Sequence, residues 1–160
     1  MSRLLEWAAF GTALGCGLSA GAFFAFSAFV MPALGRLPSG QGIAAMQSIN
    51  KLAVTPVFMT ALFGSALACA GLAAWAVVAW GERPAPWLLA GCILYLTGTI
   101  AVTIAANVPL NDALAAVDPT SMEAASLWAR YLNDWTMWNH VRTISSTVAC
   151  ALFIAVIAAG

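Results

Sequence analysis

Charge is what this 160-residue chain has least of: six Lys and Arg, six Asp and Glu and one histidine, with no net charge. Six scattered basic residues leave no basic face for nucleic acid, and no nucleic-acid-binding motif occurs, so that partner is excluded. No Asp, Glu, Lys, Arg or His stands in the middle of an apolar run, where ion-coupled carriers, proton relays and voltage sensors place one. A single histidine cannot supply two haem ligands or a two-His-one-carboxylate iron site within one chain. G-x-S-x-G, the P-loop and a dinucleotide-binding G-x-G-x-x-G setting are missing too, which leaves hydrolase, phosphoryl-transfer and dinucleotide readings without support. Cys16, Cys69, Cys92 and Cys150 each stand alone in a different apolar run, with no C-x-x-C pair, and read as small packing residues.

What the chain has in abundance is apolar surface. With 62% hydrophobic residues and a mean hydropathy of +0.91 it reads as a multi-pass integral membrane protein. Arg3 precedes the first apolar run as in a signal peptide, but the run over 8–31 is too long for one and lacks a cleavage site. About 20 helical residues cross a hydrocarbon core, and the runs predict one membrane domain with four spans, about 8–31, 56–80, 87–106 and 141–159. Gly11, Gly15, Gly17, Ser19 and Gly21 give the first span a small-residue face for close helix contact, within the chain or in a homo-oligomer.

Punctuation marks the connections. Pro32 is expected to stop the first helix. Ile43, Met46, Ile49 or Asn50, and Ala53 recur at helical spacing, which predicts a short amphipathic interfacial helix. Thr55-Pro56 reads as an N-cap with proline at the first helical position, and Gly81 to Pro86 as a tight turn. Pro109 is expected to break the third span, with Asn107 and Asn111 as caps or as site residues. Thr120-Ser121-Met122-Glu123 fits a capping box opening the last helix, which then runs to about Ala159 and is too long for a bilayer, so that its first half projects. The predicted fold is all-α: an integral membrane four-helix bundle with a short interfacial helix and a long, projecting last helix. Arg36, Lys51, Arg130 and Arg142 outnumber Arg3 and Arg83, which favours a cytoplasmic side for the long segments 32–55 and 107–141.

The few polar residues gather in WARYLNDWTMWNHVR, from Trp128 to Arg142. On a helix, Trp128, Tyr131, Trp135, Asn139 and Arg142 share one stripe with Trp138 at its margin, while Asn133, Thr136 and His140 share the next. Trp and Tyr collect at membrane interfaces for their amphipathic rings alone, and asparagines among helices often only tie them together. The same set also suits a ligand site. An imidazole is a base at neutral pH, a guanidinium stabilises an oxyanion, amides hold carbonyl and hydroxyl oxygens, and indoles hold flat rings. His140, Arg142 and Asn139 are thus candidate catalytic residues, and Asn50, Asn107, Asn111, Trp135 and Trp138 candidate substrate contacts. No metal-ligand spacing is diagnostic; His140 with Asp112, Asp118, Glu123 or Asp134 leaves a metal as an alternative.

Four segments carry a likeness: VMPAL at 30–34, MQSIN at 46–50, NVPLND at 107–112, and W-x6-W-x3-N-H-x-R from Trp128 to Arg142. Through them the chain resembles the anthrone-oxygenase-like family of small four-helix membrane proteins. The resemblance implies oxidation of an anthrone, or another flat phenolic lipophilic compound, with molecular oxygen as co-substrate and no flavin or haem. His140 would take a proton from the substrate, Arg142 and Asn139 would stabilise the oxyanion, Asn107 and Asn111 would orient it, and Trp135 with Trp138 would stack on it. Two alternatives stay open: a non-catalytic membrane subunit or lipid- or quinone-binding module, and a metal-dependent oxidoreductase.

Overall fold

The computed structural model describes residues 2–159, and among them every regular element is helical. Four helices are long and apolar enough to cross a membrane: α1 Arg3–Leu34, α3 Pro56–Val78, α4 Ala85–Ala115 and α5 Ala124–Ala159. A shorter helix, α2 Ser39–Leu52, joins α1 to α3. The chain is thus an all-α, multi-pass integral membrane protein. The helices alternate in direction, so α2 and the α4–α5 connection lie at one end of the bundle and the α3–α4 turn at the other. At ~54 Å, from ~1.5 Å per residue over 36 residues, α5 exceeds the ~40–45 Å of a bilayer with its headgroups.

Close backbone approach builds the membrane half. A Cβ added at Gly15 would overlap the Ser65 hydroxyl, and one at Gly98 would overlap Ser145, so both positions admit hydrogen alone. Around these contacts Ala9, Cys16, Cys69, Leu72, Leu88, Cys92, Tyr95 and Phe153 form one buried core. Its hydroxyls are paired across helices: Thr99 with Ser146 at 2.7 Å, and Ser19 with Tyr95 at 2.9 Å, while Tyr95 donates to the Leu62 carbonyl. A second core at the α2 end joins Met31, Leu34, Ile43, Met46, Leu114, Trp128, Tyr131 and Trp135. Of the first-span glycines, Gly15 and Gly17 meet other helices, whereas Gly11 and Gly21 face open space.

Two expected breaks are absent. The first helix passes through Pro32 to Leu34, and the third passes through Pro109 to Ala115. A proline inside a helix lacks one N–H and its ring strikes the carbonyl four residues back. Just before each proline the helix widens to π spacing, over Phe26–Val30 and Thr103–Asn107, which moves those carbonyls out of the way. Asn107 and Asn111 are consequently interior helical residues and not caps. The capping box fails as well. Thr120 turns its amide and hydroxyl onto Asp118 Oδ1, both at 2.8 Å, and α5 begins three residues later than expected, at Ala124. Thr55 does cap α3, accepting from the Phe58 amide at 3.3 Å.

Candidate functional site

The helical stripe read from the sequence is the buried face of α5: Trp128, Tyr131, Trp135, Asn139 and Arg142 are all buried. Three rings stack in succession along it, Trp128 on Tyr131 at 5.6 Å and Tyr131 on Trp135 at 6.1 Å between centroids. Trp135 then meets the Arg142 guanidinium, whose central carbon lies 5.1 Å from that ring and 4.2 Å from the Phe23 ring of α1.

Arg142 is only 5% exposed, yet neither of its hydrogen-bond partners carries charge. One nitrogen donates to Asn139 Oδ1 at 2.8 Å, another to Thr103 Oγ1 at 3.3 Å, and Nε has no partner among the described residues. Burying a cation costs several kcal/mol. Two charged hydrogen bonds return about 1.5–3 kcal/mol each, and each ring about 0.5–2 kcal/mol. Solvation is therefore largely replaced, but among the described residues no counter-charge neutralises the guanidinium. Asn139 is the support for this arrangement: its Nδ2 donates to the Phe23 carbonyl and to Ser27 Oγ, both at 2.7 Å, which turns its oxygen toward Arg142.

A cavity of about 520 Å³ opens beside the guanidinium. All five helices line it, with Phe23 and Phe26 from α1, Asn50 from α2, Phe58 from α3, Thr103 and Asn111 from α4, and Trp135 and Arg142 from α5. Its rim carries the exposed apolar side chains Leu52, Val54, Phe63 and Val108. Among the described residues Arg142 is its one charged lining residue. A larger groove of about 760 Å³ between α1 and α3 has no charged lining and is bordered by outward-facing Trp7, Leu14 and Leu18, as a lipid-facing seam would be.

The structure thus brings Arg142, Asn50, Asn111 and Trp135 to one cavity, with Asn139 immediately behind Arg142. Asn107 is buried nearby, its Nδ2 donating to the Trp135 carbonyl at 3.1 Å, but it does not line the space. His140 and Trp138 are elsewhere: both are exposed on the outer side of α5, and neither lines the cavity. The reason is helical geometry, since one residue along the chain from Asn139 is about 100° around the helix. Asn133 is exposed and bonded to Asp134. Among the described residues no three of His, Cys, Asp and Glu converge as a metal site would require, the His140 set included.

Among the lining or supporting residues that escaped the sequence reading are Thr103, Phe23, Phe26, Phe58 and Ser27. Only Thr103 left a trace, standing one helical turn before Asn107. Comparison with known proteins bears on the same residues. A family model described as anthrone oxygenase matches residues 53–152, more than half of the chain. The chain belongs to the anthrone oxygenase family. The part shared with the family runs from just before α3 into the second half of α5 and includes Thr103, Asn111, Trp135 and Arg142, whereas Phe23 and Asn50 lie outside it. No curated protein and no solved structure matches the chain.

Proposed function

We propose that this member of the anthrone oxygenase family is a membrane-embedded oxygenase that takes a flat, phenolic, lipophilic substrate of anthrone type into the Arg142 cavity. The carrying observation is a buried guanidinium with no carboxylate, bordering an apolar cavity of about 520 Å³. Pockets of this size hold drug-sized ligands. An oxyanion on such a ligand supplies the missing counter-charge in a site that has already replaced the guanidinium's hydration. The apolar rim suits entry from the bilayer.

An anthrone carries a CH2 between two aromatic rings, conjugated with the ring ketone. Loss of one proton gives a delocalised anion with its charge largely on that oxygen. Arg142 stabilises this anion, Asn139 holds Arg142 in place, and the rings of Trp135 and Phe26, 5.6 Å apart between centroids, bound the space. The anion transfers one electron to O2, the two radicals combine at the former CH2 carbon, the peroxide anion so formed takes back one proton from water, and the hydroperoxide loses water. Carbon goes from CH2 to C=O as O2 supplies one oxygen to the quinone and one to water. Since among the described residues no histidine or carboxylate lines the cavity, the proton passes to water at the mouth, and the base role expected of His140 is not carried forward.

The test is oxygen uptake with quinone formation by the detergent-purified protein given 1,8-dihydroxyanthrone, against the spontaneous rate. One O2 consumed per quinone, with His140→Ala at wild-type rate, is the expected result. Turnover no faster than the spontaneous rate would remove the oxygenase reading. The membrane orientation belongs to the proposal too: the basic residues of the α2 end favour a cytoplasmic cavity side, to be read by cysteine accessibility at position 36 in intact cells.

A further inference from the structure

An indole N–H donates and cannot accept. The atom of Asn111 that lies 2.8 Å from Trp135 Nε1 is therefore its amide oxygen, and this single contact settles which way the amide faces. The Tyr131 hydroxyl lies 2.8 Å from the same oxygen and so must donate to it. With that proton committed, the phenolic oxygen has only lone pairs to offer Asn50, whose Nδ2 approaches at 3.5 Å, the long limit for a hydrogen bond. One indole thus dictates the polarity of a chain of groups across α5, α4 and α2.

The chain has two free ends. Asn111 Nδ2 is a donor and Asn50 Oδ1 an acceptor; neither has a partner among the described residues, and both residues line the cavity. Nor is either atom among the sealed, unpartnered ones, which are Asn107 Oδ1, Trp128 Nε1 and Arg142 Nε.

We infer that Tyr131 is a positioning residue which, with Trp135, makes the cavity present a donor at Asn111 and an acceptor at Asn50, and so select ligands that carry both a carbonyl and a hydroxyl free to donate. The inference rests on the cavity being the ligand site proposed above. Tyr131 itself does not line the cavity and acts through the two amides.

Binding is read by tryptophan quenching with 2-hydroxyanthraquinone, held neutral below its phenol pKa, and 2-methoxyanthraquinone, a pair of equal charge that differs in one donor not tied to the ring carbonyl. Wild type prefers the hydroxyl compound by about tenfold, the worth of one well-placed hydrogen bond. Asn50→Leu brings that ratio to about one. Tyr131→Phe also lowers it, although Asn50 remains, because the amide is no longer oriented; a residue that merely packed would change both affinities and leave the ratio. Asn111→Asp keeps both incoming hydrogen bonds but loses the donor, and weakens both ligands alike by about tenfold. Equal affinities in wild type, or a ratio unmoved by both Asn50→Leu and Tyr131→Phe in variants whose thermal melting stays cooperative, would overturn the polarity while leaving the cavity assignment standing. Failure of both compounds to bind wild type would overturn the two together.

Discussion

The two halves of the bundle treat buried polar groups in opposite ways. In the membrane half, hydroxyls from facing helices close on one another, Thr99 on Ser146 and Ser19 on Tyr95, and no sealed side-chain nitrogen or oxygen lacks a partner among the described residues. At the α2 end, Asn107, Trp128 and Arg142 each retain a sealed polar atom without one, and among the described residues the guanidinium has no counter-charge. An unpaired buried polar group costs roughly 1–3 kcal/mol, so the second half is not organised for stability alone. One half holds the helices together; the other buries a cation beside a cavity without a counter-charge among the described residues.

The largest contrast is expected at Arg142. Arg142→Met removes the only charge lining the cavity and is expected to cut turnover by about 100-fold or more, the scale of losing an oxyanion contact. Melting in detergent should stay level or rise, because an apolar side chain of similar length replaces an uncompensated buried cation. In the membrane half the order reverses. Gly98→Leu drives a side chain into Ser145 and should destabilise by about 1–3 kcal/mol, seen as a lower melting temperature, while whatever protein remains folded keeps its ligand affinity.

Smaller effects follow. Thr99→Val removes one cross-helix hydroxyl pair and should cost only ~0.6 kcal/mol, the average for such bonds between membrane helices, read by the shift in unfolding midpoint. The least is expected at Asp118 in the α4–α5 connection. The Thr120 amide and hydroxyl hold its carboxyl below the usual range, so the carboxylate is favoured by folding. Its turn is intact at neutral pH and loosens only as pH falls through that lowered value. Faster amide exchange at Thr120 in acid, with no change in overall melting at neutral pH, is the expected sign.

Periodicity carried most of the fold. Apolar runs long enough for a bilayer and the stripe of Trp128, Tyr131, Trp135, Asn139 and Arg142 are properties of single helices, and they were legible as such. Pro32 and Pro109 were misread because the rule for proline is local, whereas the relief comes from π turns that keep the helix whole. The site was half legible for the same reason. Arg142 and Trp135 announce themselves on one helix, but Phe23 and Thr103 join them only through packing with α1 and α4. His140 looked like a partner because it is near in sequence, and a helix turns adjacent residues apart. The part played by Tyr131 required knowing that Asn111 of another helix lies against it.

The central claim is that the unneutralised Arg142 charge receives a flat oxyanion. The most direct measurement compares the affinities of anthraquinone and of 2-hydroxyanthraquinone, the latter as its phenolate above its phenol pKa, for wild type and Arg142→Met in the same detergent. Wild type should favour the phenolate by about 10–100-fold, the range of one charge-assisted hydrogen bond, and Arg142→Met should lose that preference while still binding the neutral ring. A wild type indifferent to the charge, or a variant that keeps the preference, would contradict it.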